Sequence, residues 1–129
     1  MSMKRGIITI GESGNIIMPE NVADIWMSEL DLVELFGVTA PTIRAAIKAV
    51  YKIGVLKEYE VQKYIRLENG YHADVFSFPI VVALAFRINT FGAEQVRNAI
   101  LERVCLRKEK QNILFSLNIT DTISQKYFA

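Results

Sequence analysis

The segment Trp26 to Tyr51, WMSELDLVELFGVTAPTIRAAIKAVY, sets two helical patterns on either side of Gly37 with no room for a longer connection. Two helices so close in sequence must turn sharply against each other, which is the pattern of a helix-turn-helix. Ser28 is a ready N-cap of the first helix, Asp31 is placed to complete a capping box, and Leu32, Val33 and Phe36 fall on one face. Gly37 ends this helix, because glycine takes the left-handed conformation of a sharp exit at little cost. Thr39 then caps a second helix with Pro41 in its first turn, where the missing N–H does no harm. Ile43, Ile47 and Val50 form the inner stripe of this second helix, and Pro41, Ala45, Lys48 and Lys52 point away, with Thr42 and Arg44 on the flanks. An outward face of that kind can enter a DNA major groove.

Length and composition agree with a compact domain. At 129 residues, 51% hydrophobic and 22% charged, it has ample material for a core. Fifteen Lys and Arg against fourteen Asp and Glu leave a formal charge of +1, so any nucleic-acid contact must come from a local patch. The lone Cys105 excludes an intrachain disulfide and a cysteine-rich zinc site, and fits a reducing cytosol. FPIVVALAF falls far short of the ~20 apolar residues of a membrane helix, and the N-terminal apolar run is short, so the expectation is a cytoplasmic chain with no membrane partner.

RGIITI and GNIIMP, separated by GESG, read as a short hairpin, and residues 24 to 27 as a further strand. VQKYIRL and YHADVFSF flank Glu68, Asn69 and Gly70, and an Asn-Gly pair between β-rich runs is the strongest hairpin signal in the chain. This hairpin, residues 61 to 76, sits where a winged helix keeps its wing. Pro79 opens PIVVALAFRI, apolar on nearly all sides and so expected to be buried. A last helix, AEQVRNAILERVCLRKEK, is expected to turn Val96, Ile100, Leu101 and Val104 inward. The expected architecture is α+β and winged-helix-like, a helix-turn-helix followed by a β-hairpin and two C-terminal helices. It spans residues 1 to 110, with 111 to 129 as a tail or oligomerisation segment.

The spacing of Val33, Gly37 and Ile43 resembles that of bacterial helix-turn-helix proteins. A wider resemblance, over roughly residues 6 to 104, is to the N-terminal region of the RhuM-type virulence or phage-regulator family. It rests on WMSELDLVELFGVTAPTIRAAIK, on YIRLENGYHADVFSF and on FRINTFGAEQVR. The resemblance implies a DNA-binding protein of a bacterial mobile element. Where the family tends to have arginine, serine and histidine on the second helix, this chain has Ala40, Pro41, Ala45 and Ala46.

Catalysis finds little support. His72 is the only histidine and reads as a polar loop residue near the hairpin tip, with no nucleophile placed beside it. Cys105 has no neighbouring ligand and reads as a buried structural cysteine; Gly11 and Gly14 lack the Lys-Ser or Lys-Thr of a phosphate loop. Glu58, Glu60, Glu68 and Asp74 are scattered and read as solvent-facing charges. No enzyme, cofactor, metal or small-molecule substrate is therefore expected. Trp26 reads as a core anchor, with Ile25 and Met27 alternating about it. Arg103, Arg107, Lys108 and Lys110 suit a helix C-terminus.

The leading expectation is double-stranded DNA as partner. Arg44 is the residue able to make a bidentate contact to guanine, Lys48 and Lys52 hold phosphates, and Thr42 and Ala45 offer methyl contacts. Lys63 and Arg66 are candidate phosphate contacts on the hairpin, of which at least one is expected to face away. The alternative is a protein-interaction or oligomerisation module that kept the fold without DNA binding, favoured by the near-neutral charge and the alanines of the second helix. Paired half-sites favour a homodimer, and Ile113 to Leu117 is the apolar stretch available to build one.

Overall fold

A computed structural model describes residues 5–111, with side chains to Cys105. One compact unit spans residues 1–99; the second, from Ile100 onward, is represented among the described residues by the rest of the last helix. The tail and the Ile113 to Leu117 segment lie outside the described residues, as do the side chains of Arg107, Lys108 and Lys110.

The chain is α+β. β1 (Thr9–Ile10) and β2 (Ile16–Ile17) form the short hairpin, with Thr9 opposite Ile17. A 3-10 turn, Val22–Asp24, occupies the start of the segment expected to be strand, and β3 begins two residues later, at Trp26–Ser28. Asn21 decides this: its side chain accepts from the Ala23 amide and nucleates the turn. Ile25 and Met27 are fully buried, which by alternation sends Trp26 to the opposite face, where it is half-buried rather than a core anchor.

α1 (Glu29–Phe36) starts at Ser28 with the expected capping box: Asp31 N–H donates to the Ser28 hydroxyl and Ser28 N–H to the Asp31 carboxylate. It ends at Gly37, φ 65°, in the left-handed region. Leu32, Leu35 and Phe36 are its buried residues; Val33 is half-buried, Leu35 taking the place expected for it. α2 (Ala40–Ile53) is capped by Thr39 and closed by Gly54, and buries Ile43, Ala46, Ile47 and Val50. Only three residues separate the two helices, and the apolar faces of both go to one core.

A one-turn helix α3 (Glu58–Val61) leads into β4 (Gln62–Arg66) and β5 (His72–Ser77). The register pairs Gln62 with Phe76 and Arg66 with His72, and β3 pairs with the other edge of β5, giving the antiparallel order β3-β5-β4. Leu67 N–H donates to Tyr71 O at 2.7 Å, so the turn itself is Glu68, Asn69 and Gly70, with Gly70 at φ 90°. This is a three-residue loop with its left-handed residue last, rather than a two-residue Asn-Gly turn.

α4 (Phe78–Ala85) buries Ile80, Val81, Leu84 and Ala85 but leaves Val82 and Ala83 half-buried, and Phe86 beyond it is exposed. α5 (Phe91–Gln111) begins two residues before the expected start because Thr90 serves as its cap: its hydroxyl accepts from the Ala93 amide and donates to Phe36 O. Gly92 lies where a Cβ would stand 2.1 Å from Leu35 O, so the backbones of α1 and α5 approach as only glycine allows. Arg97 donates to Ala85 O and Ile88 O, satisfying carbonyls at the end of α4. Val96 is buried as expected, but Ile100 is half-buried and Leu101, Val104 and Cys105 are exposed. Among the described side chains of α5, full burial ends at Val96, a limit that helical period alone could not give.

Candidate nucleic-acid interface

α2 carries three cations, Arg44, Lys48 and Lys52, and no carboxylate, a local excess that the formal charge of +1 conceals. Burial of Ile43, Ala46, Ile47 and Val50 sets the helix rotation, and the opposite row, Pro41, Ala45, Lys48 and Lys52, is exposed together with Thr42 and Arg44. The structure therefore brings Thr42, Arg44, Ala45, Lys48 and Lys52 together on the free side of one rigid fourteen-residue helix.

Arg44 is not idle in this arrangement. Its Nη1 donates to the carboxylate of Glu29, the first residue of α1, in an ion pair whose side chains are 61% and 37% exposed. Tyr51, about two turns further along α2, donates its hydroxyl to Gln62 Oε1 of β4 at 2.7 Å. That bond brings the Gln62 face of the hairpin against the Arg44 and Tyr51 flank of α2. Between them lies a cleft of about 340 Å³, whose charged and polar lining includes Glu29, Arg44, Lys48, Tyr51, Glu58 and Asp74. Burial, with the charges of Glu58 and Asp74 adding to it, pushes the Tyr51 phenol up to about 12.

Strand alternation separates the two hairpin cations. Gln62, Tyr64 and Arg66 share the face toward α2, and Lys63 lies on the other, its ammonium 4.3 Å from the centre of the Trp26 ring. On the α2 side Tyr64 stacks on His72, ring centres 5.6 Å apart, and Arg66 stands directly across from His72. His72 is a strand residue with an aromatic partner and not the loop residue expected. Exposed Tyr64, Arg66 and His72 thus form an aromatic and basic strip on the outer half of the hairpin. Asp74, opposite Tyr64, marks where that strip gives way to the acidic side of the cleft.

The hairpin turn is tethered from below. Arg5, its side chain only 4% exposed, donates to Trp26 O at 2.7 Å, to Asp31 at 3.0 Å, and through Nε and Nη2 to both carboxylate oxygens of Glu68. Burial by itself lowers the Arg5 guanidinium, but the hydrogen bonds to Glu68 and Asp31 and their charges more than offset this and raise it. The Glu68 carboxyl is held below its ordinary value, chiefly by the bond from Arg5. Arg5 therefore joins β3, the capping box of α1 and the hairpin turn.

Of the four carboxylates expected to be solvent-facing, Glu68 is paired, and Glu58 and Asp74 line the cleft. Glu29, Tyr51 and Arg5 carried no local signal, since their partners lie 11 to 63 residues away. The shared face of Tyr64 and His72, by contrast, follows from counting outward from the Glu68 to Gly70 turn, which sets Arg66 across from His72 and Tyr64 one step diagonally from it. Among the described residues no group of three or more His, Cys, Asp or Glu is arranged to hold a metal ion, and no helix is long and apolar enough to cross a membrane. Comparison of the chain with protein-family models, curated proteins and solved structures finds no match.

Proposed function

We propose that this chain is a winged-helix-like DNA-binding module in which α2 enters the major groove and the β4-β5 hairpin serves as the wing. The observation that carries the reading is the exposed row on α2, three cations without a carboxylate on a helix entered through a three-residue turn. The hydrogen bond from Tyr51 to Gln62 supports it, because it sets the Gln62 end of the hairpin beside α2, and Tyr64, Arg66 and His72 lie on that same face of the hairpin. In this reading Arg44 contacts a guanine edge, Lys48 and Lys52 hold phosphates, Thr42 and Ala45 contribute methyl contacts, and Arg66 reaches a flanking phosphate. Lys63, engaged with Trp26, is left out. DNA binding is the role that the sequence resemblance to RhuM-type regulators of mobile elements implies, and a cytoplasmic homodimer on paired half-sites is its natural form.

With two to four phosphates neutralised, affinity is expected to fall with a logarithmic salt slope of about −2 to −4. Titration of a labelled duplex into the folded chain at several salt concentrations tests this, and absence of binding at low salt refutes it. One observation favours a second reading, a protein-interaction module: Glu29 already occupies Arg44, and Glu58 and Asp74 place negative charge beside Lys48. Absence of binding to any duplex, together with a concentration-dependent mass in sedimentation, selects that reading.

A further inference from the structure

Arg44 and Glu29 stand on two helices whose positions are set by their caps and by packing in the shared core rather than by this ion pair. Glu29 is the first residue of α1, directly after the Ser28 cap, and Arg44 sits one turn into α2 behind the Thr39 cap. The carboxylate takes Nη1 alone, and Nε and Nη2 have no partner among the described residues. A guanidinium has five N–H donors in a planar fork, so a carboxylate at one corner fixes the plane and leaves donors for a second planar acceptor. The pair is also exposed enough that the guanidinium is reachable from solvent.

We infer that Glu29 is a positioning residue for Arg44, holding the guanidinium in the orientation in which its remaining donors meet a base edge, and trading affinity for selectivity in doing so. The inference rests on the DNA-binding reading above. Two consequences have opposite signs. The negative charge of Glu29 beside the docking helix repels phosphate and weakens binding to every duplex. The same carboxylate restricts the rotamers of Arg44 and so sharpens what it reads. An exposed ion pair of this kind is worth a population factor of about fivefold at most, which bounds the second effect.

The test uses duplexes enriched by the wild-type chain from a randomised pool, measured against scrambled duplexes of the same composition. Glu29→Gln keeps an acceptor and the size of the side chain and removes the charge. It is expected to tighten binding to scrambled duplexes and to lower the preference for enriched ones by about three- to fivefold. Arg44→Ala is expected to lower that preference by about fivefold to 150-fold. Adding Glu29→Gln to Arg44→Ala is then expected to change the preference no further. Glu34→Gln, which neutralises an exposed acid elsewhere on α1, controls for net charge and leaves the preference as it was. Thermal melting of each variant reports that the fold is intact. The inference is overturned if Glu29→Gln leaves the preference unchanged where Arg44→Ala lowers it, if it lowers the preference equally with Arg44 absent, or if Arg44→Ala has no effect on preference. Absence of wild-type binding to any duplex at low salt is a distinct result, which removes the DNA-binding reading and this inference together.

Discussion

Replacing Arg5 by methionine removes a buried guanidinium while keeping an unbranched side chain of similar length. The loss is uneven across its partners. Trp26 O loses a 2.7 Å hydrogen bond in a part-buried site, a cost of about 1–3 kcal/mol. Asp31, whose side chain is 19% exposed, loses its cation but still accepts from Ser28 N–H at 2.9 Å. Removal of one partner from a fully buried pair costs roughly 3–5 kcal/mol, and partial exposure of Asp31 with its remaining bond brings this toward the lower end. Glu68 is 61% exposed, and its pair is worth at most about 1 kcal/mol after solvent screening. The terms overlap, and a total near 3 kcal/mol is expected for Arg5→Met, a large share of the ~5–15 kcal/mol that holds a domain together. Glu68→Gln is expected to cost less than about 1 kcal/mol. Urea denaturation measures both, with an unchanged slope as evidence that the two-state comparison holds. Thermal unfolding is expected to shift down by on the order of 10–15 °C for Arg5→Met. Because the folded Glu68 carboxyl lies below its unfolded value of 4.5, its share of the stabilisation is present above that pH and is lost as pH falls through the folded value. An Arg5→Met variant within about 0.5 kcal/mol of wild type, or a Glu68→Gln variant as damaged as Arg5→Met, would refute the reasoning.

Gly92→Ala sets helix propensity against packing: propensity alone would add about 1 kcal/mol, but a Cβ 2.1 Å from Leu35 O forces α1 and α5 apart, for an expected net loss of about 1–3 kcal/mol in denaturation. A more stable alanine variant would contradict the close approach. Lys48→Ala and Lys52→Ala are each expected to reduce the salt slope of duplex binding by about 0.9 with little change in sequence preference, whereas Arg44→Ala relaxes preference by roughly 1–3 kcal/mol; equal effects from all three would remove the distinction between phosphate and base contacts. The difference between the ultraviolet tyrosinate titrations of wild type and Tyr51→Phe is expected to have its midpoint at about 12. Since the folded value is raised above 10.0, the neutral phenol stabilises the fold fully below that pH and the contribution fades as pH rises toward 12; a midpoint near 10 would mean that Tyr51 is not enclosed with Glu58 and Asp74.

Residues that act within a turn or two of themselves are legible in the amino-acid sequence. Ser28 with Asp31, Gly37, Thr39 with Pro41, and Gly70 each satisfy or release backbone groups a few residues away, so the boundaries of α1 and α2 and the existence of the β4-β5 hairpin follow from local chemistry. The exposed row of α2 is legible for the same reason, since a helix whose buried stripe is known has a known opposite face. The partners of those exposed side chains are set by distant parts of the chain. Arg44 meets Glu29 across the turn, Tyr51 meets Gln62 from another element, and Arg5 reaches Glu68 across 63 positions. The face taken by Trp26, the contact of Gly92 with Leu35 and the early end of the buried face of α5 likewise depend on which element stands opposite. A periodic pattern states which side of an element avoids water. It holds no record of the neighbour that covers that side, because the neighbour is chosen by the sheet order β3-β5-β4 and by the competition of every apolar face for one core.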